Sequence, residues 1–371
     1  MTPPAGLPIS AVAGGPNIPG RGDTAGSAAA TNLPSMRGFS IVGVVSLVAV
    51  LAAQTLVPSL LQRSTVGLAV AGILIGVPHG AVDHMVPFWT SGTRPQVWSM
   101  TLVLGRYLGV AALAATALVL LPDLAVTAFL IASAAHFGLA EIEFNRRAEN
   151  EAPKAGHEFS QGGGASGPPP TPRLDLLRAV AHGGAVIVLP LSLWHVQVAQ
   201  VLGRLGPLYA GDHLTRLEDV LAVGVLVLNL GLSLGAMRRG RWSEAAQIAL
   251  IVTVFVVVPP LAAFAVYFGG WHAVRHTGRL LALPGARGAV LSRSAAWRRY
   301  LLHAALPTLT VLIVMGIVWA DHSRPVIAAA LAVLVAITFP HLFTVAALDR
   351  WTAAEHGRGK ARSATPARPS S

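Results

Sequence analysis

The 371-residue sequence contains no cysteine. That removes disulfides, thiolate zinc sites, iron–sulfur clusters and cysteine nucleophiles together. Charge is also scarce, with Asp, Glu, Lys and Arg making up 12% of the chain, against about 25% in a soluble domain. Acidic residues are the rarer sign, 16 against 27 Lys and Arg, for a formal net charge of +11. Those basic residues are scattered between apolar runs, and no basic face is interleaved with stacking aromatics, so no nucleic-acid partner is expected. Hydrophobic residues fill the chain at 53%, and the mean hydropathy is +0.61. A soluble globule needs charge to cover its surface, whereas this composition suits a chain whose main solvent is lipid.

Residues 1–36 are rich in Gly, Pro, Ala and Ser and are expected to form a disordered tail. The first apolar run begins near Phe39 with no short charged segment before it, so no cleaved leader is expected. Ten runs of roughly bilayer length follow, at about 39–61, 66–89, 96–121, 123–145, 174–201, 217–237, 244–258, 260–283, 299–320 and 325–348. The pair Pro259–Pro260 separates the short seventh run from the eighth. The fold class is therefore all-α, a polytopic membrane helix bundle of about ten spans over residues 37–350. The polar stretch 146–173, with Gly162–Gly164 and Pro168–Pro170, reads as a flexible loop, and residues 351–371 as a disordered basic tail that touches anionic lipid. Arg63, Arg204, Arg216 and Arg324 fall on one face and Arg106 and Arg275 within spans; the rest of the 27 Lys and Arg fall on the other face. That bias puts both termini in the cytoplasm of a cell-membrane protein. Nine spans would set the Arg238–Arg241 and Arg287–Arg299 clusters on opposite faces.

Polar side chains inside apolar spans are costly and mark function. The second run carries Gly76-Val77-Pro78-His79-Gly80-Ala81-Val82-Asp83-His84, in which His79 and Asp83 share a helical face and Pro78 and Gly80 loosen the helix beside the imidazole. The fourth carries Ala135-His136-Phe137-Gly138-Leu139-Ala140-Glu141-Ile142-Glu143. The eighth carries Tyr267-Phe268-Gly269-Gly270-Trp271-His272-Ala273-Val274-Arg275-His276, and the spacing of His272 and His276 puts two imidazoles on one face with Arg275 off it. Each motif taken alone is also compatible with a kinked helix and a histidine bonded to a neighbouring carbonyl. Together, His79, His136, His272 and His276 are expected at one depth, and buried imidazoles short of carbonyl partners are better explained by a shared ion. Neutral nitrogen donors without thiolate suit Fe(II), Zn or Cu alike. Asp83, His84, Glu141, His182, Tyr267 and His341 are candidates for a supporting shell or a cavity wall. His157, His195, His213, His303, His322 and His356 lie in loops, tails or near span ends and are assigned no role.

Taken in order, Pro78-His79-Gly80…Asp83, His136-Phe137-Gly138, Ala181-His182-Gly183-Gly184, Tyr267-Phe268…His272…Arg275-His276 and Pro340-His341 resemble the Brp/Blh family of membrane β-carotene 15,15′-dioxygenases. The resemblance runs from about Phe39 to Arg350 and omits both tails and the 146–173 stretch. It implies a non-haem Fe(II) enzyme that splits β-carotene with O2 into two all-trans-retinal. It also implies His79, His136, His272 and His276 as the metal ligands. Where the family often carries an aspartate after His-Phe-Gly, Glu141 stands here. Other readings of the polar residues are a di-iron lipid desaturase or hydroxylase, a transporter or ion pathway, and a non-catalytic assembly partner of a retinal-binding protein. The clustering of polar residues at one depth, and the absence of an internal repeat, weigh against a transporter.

Overall fold

The computed structural model describes residues 35–151, 172–211, 214–285, 289–320 and 326–364, and every regular element among them is helical. Among the described residues, eight helices are long and apolar enough to cross a membrane. In chain order the elements are α1 Met36–Leu56, α2 Pro58–Ala81, the short α3 Val86–Ser91, α4 Val97–Leu120, α5 Pro122–Glu151, α6 Pro172–Leu193 and α7 His195–Leu202. There follow α8 Thr215–Arg238, α9 Trp242–Val257, α10 Pro260–Val266, a π-helical segment Tyr267–Ala273, α11 Val274–Leu281, α12 Arg293–Ala320 and α13 Val326–Ala364. The ten expected runs thus map onto eight full-length spans plus two shorter units, the 16-residue α9 and the segmented α10–π–α11 stretch. Ten is the number of apolar runs; eight is the number of long spans among the described residues.

Several boundaries move, each for a local reason. The first run ends at Leu56, because Pro58 occupies the first turn of α2. α2 stops at Ala81, just past Pro78, and a 3-10 turn Asp83–Met85 joins it to α3. α5 continues to Glu151, into the stretch expected to be a loop. There Arg147 bonds Glu143 at 3.0 Å, and Glu149 pairs with Arg241 at 2.6 Å. Likewise α13 runs on to Ala364, past the expected end of the bundle. Thr352 is buried there and accepts from Arg147 Nη2 at 2.5 Å. Residues 1–34, 152–171 and 365–371 lie outside the described residues, as do His157, His213 and His322.

Most helices turn apolar side chains outward. α4 buries only Ala114 and leaves Val97, Trp98, Leu108, Leu113, Val119 and Leu120 exposed. A helix that is apolar all round and so little covered by protein has lipid as its natural surroundings. Inside, close backbone approach replaces bulky packing. A Cβ at Gly138 would meet the Ala179 carbonyl oxygen at 2.1 Å, and one at Gly183 would meet the Ala134 carbonyl oxygen at 1.9 Å. α5 and α6 therefore touch backbone to backbone over two turns, as small-residue seams in membranes do. One core gathers Phe137, Leu189, Val254, Phe255, Ala263, Tyr267 and Trp271, and a second gathers Val82, Trp89, Leu280, Tyr300 and Leu348. His272 packs against Phe137 of the first core.

Candidate metal centre

His79 sits in the last turn of α2, one residue after Pro78, and its Nδ1 donates to the Gly76 carbonyl. That bond fixes the tautomer and leaves the lone pair on Nε2. His136 comes from the middle of α5, His272 from the π segment, His276 from the first turn of α11, and His341 from α13 beside Pro340. All five are buried. The His79 ring centroid lies 5.2 Å from His272, 5.3 Å from His276 and 5.0 Å from His341. His136 lies 4.9 Å from His272 and 5.1 Å from His341. Single nitrogens of His79, His272 and His341 come within 4.8 Å of one another.

The polar atoms of this cluster are not satisfied by protein alone. His136 Nε2 and His272 Nε2 stand 3.2 Å apart. His341 Nδ1 donates to Asp83 Oδ2 at 2.8 Å; among the described residues, His341 Nε2 and His276 Nδ1 are buried and have no hydrogen-bond partner. Each such atom costs about 1–3 kcal/mol when left unmade, and two in one place need a common partner. A cation meets that need. The donor set of neutral imidazoles with one carboxylate behind them, and no thiolate, fits Fe(II), Zn or Cu. The Asp83–His341 pair repeats the carboxylate–histidine arrangement that orients metal-bound imidazoles.

The supporting shell is built from charged side chains held inside the bundle. Glu141 accepts from Trp271 Nε1 at 3.0 Å and from Arg275 Nη1 at 2.5 Å, and the Arg275 guanidinium lies 3.6 Å from the Trp271 ring centroid. Arg275 also donates to Ser40 and Gln247. His182 and the Tyr267 hydroxyl share a hydrogen bond at 2.7 Å. His84 turns away from the cluster, bonding the Ala81 carbonyl at 3.0 Å and packing near His303. Two features escaped the sequence. Arg279, grouped with the loop cations, is 1% exposed and pairs with Asp349. Phe268 sets its ring edge-on to His79 at 5.7 Å.

The cluster divides the bundle into unlike halves. Towards the end that carries Met36, Arg147 and Asp349, it meets the ion pairs, with a void of about 10 Å³ between Glu141, Phe144, Arg275 and Arg279. Towards the end that carries Pro58, Pro122 and Pro260, it meets a cavity of about 430 Å³ walled by apolar side chains of α2, α5, α6, α10 and α13, Phe264 and Phe268 among them.

This is a polytopic helical membrane protein with a buried histidine centre suited to a cation and an apolar cavity beside it. The sequence profile of the family described as beta-carotene 15,15'-dioxygenase matches residues 70–349, and the chain belongs to that family. It is thereby an oxidoreductase of the carotenoid-cleaving dioxygenase class. It is 28% identical over 322 residues to a Halobacterium salinarum protein named "Probable beta-carotene 15,15'-dioxygenase Blh", covering 76% of this chain and 84% of the relative. A protein of an uncultured marine bacterium, 66A03, named "Beta-carotene 15,15'-dioxygenase", is 27% identical over 212 residues, covering 55% and 65% respectively. No solved structure matches.

Proposed function

We propose that this chain cleaves β-carotene with O2 across the central double bond to give two all-trans-retinal, using Fe(II) held by His79, His136, His272 and His276. The observation that carries the reading is the convergence of these buried imidazoles from three separate stretches of chain, with His276 Nδ1 unpartnered among the described residues and an apolar cavity that reaches the neighbouring Phe268. Ferrous iron bound there supplies the activation of O2. The chain's own side chains do the rest. Asp83 orients His341, which enters the cluster as a fifth imidazole beyond the four ligands of the reading. Glu141 and Arg275 hold Trp271 beside His272, and His182 holds Tyr267, so the π segment carries its imidazole at a fixed position. Phe137, 4.8 Å from His272, and Phe268 present apolar faces to a polyene. The ion pairs on the other side close the site to water.

β-Carotene is wholly apolar and partitions into hydrocarbon, so the bilayer is both the solvent of the protein and the reservoir of its substrate. In this reading residues 37–350 are the catalytic bundle of a cell-membrane protein with both termini cytoplasmic, as the distribution of Lys and Arg supports. Residues 1–36, 146–173 and 351–371 supply none of the proposed ligands. The test is a series of His→Ala variants of the purified chain, each assayed for iron content and for retinal. Iron and retinal fall together at His79, His136, His272 and His276, and neither changes at His157 or His356. A His136→Ala protein with full iron and full activity overturns the four-histidine assignment.

A further inference from the structure

Helix α4 buries Ala114 alone and packs along α13. Its tyrosine is placed unlike most membrane tyrosines, which gather at the two interfaces where the hydroxyl meets water. Tyr107 stands ten residues after Val97 in a helix of 24 residues, about 15 Å along the axis and near the middle of the span. A hydroxyl at that depth needs its partner inside the protein. The Tyr107 hydroxyl donates to the Ile337 carbonyl of α13 in a long bond of 3.4 Å, and Asp83 stands within reach of the same hydroxyl. Ile337 lies in the turn before Pro340, where the proline loosens the helix.

Asp83 needs what Tyr107 offers. A buried carboxylate only accepts, so every bond that holds it comes from a neighbour's N–H or O–H. His341 Nδ1 supplies one at 2.8 Å and is the ion-pair partner of Asp83 among the described residues. Tyr300, another phenol of the bundle, is engaged with Thr277 at 3.3 Å. With two donors the carboxylate keeps one orientation; with one it is free to turn about its Cβ–Cγ bond, and the imidazole it holds leans with it. His341 spends Nδ1 on Asp83, and one of its nitrogens comes within 4.8 Å of nitrogens of His79 and His272. The nitrogen left over is Nε2, which is buried and has no hydrogen-bond partner among the described residues.

We infer that Tyr107 is a positioning residue of the metal centre: its hydroxyl holds Asp83, Asp83 holds His341, and His341 turns Nε2 to the ion. The inference rests on the metal centre of the reading above, and it gives a part in that centre to a helix otherwise turned to lipid.

The test is metal binding, with no turnover involved. The full-length chain, freed of metal by chelation and placed in lipid nanodiscs, is titrated with Co(II), whose visible bands report the donors around it. Tyr107→Phe keeps the ring and its packing and removes the hydroxyl. It weakens Co(II) binding roughly three- to tenfold, the worth of one hydrogen bond, and shifts the visible bands in the direction that Asp83→Ala shifts them. With the relay already cut by Asp83→Ala, adding Tyr107→Phe changes the Kd less than about twofold. Leu108→Phe, on the lipid-exposed neighbour, leaves both Kd and bands native. Three results overturn the inference: native Kd and bands in Tyr107→Phe, an undiminished effect of Tyr107→Phe in the Asp83→Ala chain, or an equal effect from Leu108→Phe. Failure of the native chain to bind Co(II) contradicts the metal centre itself, whereas native binding unaltered by Tyr107→Phe overturns this inference alone.

Discussion

Asp83 is the carboxylate that stands behind His341 in the proposed metal centre. It is 2% exposed, it bonds His341 through one oxygen, and the Tyr107 hydroxyl stands within its reach. Asp83→Asn keeps the shape and removes the charge behind the imidazole. We expect metal affinity to fall about 10–100-fold, as for other carboxylates behind metal-bound histidines, with expression intact, read as iron retained on dialysis against graded chelator. Full retention would deny Asp83 that part. A histidine within an apolar run declares itself in sequence, because burial there is expensive, so the burial and clustering of His79, His136, His272 and His276 were legible, whatever their part in binding. His341 was legible as a candidate and not as a member of the cluster, since Asp83 meets it 258 residues away and no local spacing reports such a distance. Arg279 was misplaced for a related reason. A cation near a run's end reads as a loop charge until its partner, Asp349 on another helix, is seen. Glu141 and Arg275 form the other buried pair, at 2.5 Å. Arg275→Met leaves the carboxylate inside the bundle with only the neutral donors of Trp271 and Asn145, a loss of up to about 3–5 kcal/mol, and adding Glu141→Leu recovers part of it. Thermal unfolding of the two variants in detergent checks this; equal stability of the native and Arg275→Met chains would show the pair to be idle.

At the scale of elements, run length was the strongest signal. A stretch of about 20 apolar residues has few fates other than a membrane span, and the break at Pro259–Pro260 falls where α9 ends and α10 begins. The π-helical turn over Tyr267–Ala273 was not legible, because Gly269–Gly270 permits it while the packing of Tyr267, Trp271 and His272 selects it. The close seam of α5 and α6 gives a sharp prediction. Gly138→Ala forces its methyl into the Ala179 carbonyl and lowers stability by about 1–3 kcal/mol. Gly224→Ala, with nothing within 4 Å, leaves stability near native. Melting of the two proteins in one detergent checks the contrast, and equal melting temperatures would contradict the seam. Helix α5 extends to Glu151 and α6 begins at Pro172, so the dispensable stretch is shorter than composition alone suggested. Replacing 152–171 with a Gly/Ser linker preserves most retinal formation; loss of activity with normal membrane insertion would show that this stretch does more than connect.

On the scale of the whole molecule, the bundle is polarised along the membrane normal. Ion pairs crowd the end with Met36 and Asp349, the apolar cavity opens towards the other end, and the imidazoles separate the two. Composition announced a lipid-dissolved chain, and the family resemblance named a chemistry. In the proposed reading this arrangement keeps a reaction on an apolar rod away from water. The most direct test of that account is cleavage under labelled oxygen. The purified, iron-loaded chain is mixed with β-carotene under 18O2, the aldehydes are trapped by rapid reduction before they exchange with water, and the products are weighed. The account predicts two C20 products per carotene consumed, each carrying one 18O atom. Absence of C20 products from β-carotene, or a product pair in which one oxygen comes from water, contradicts it.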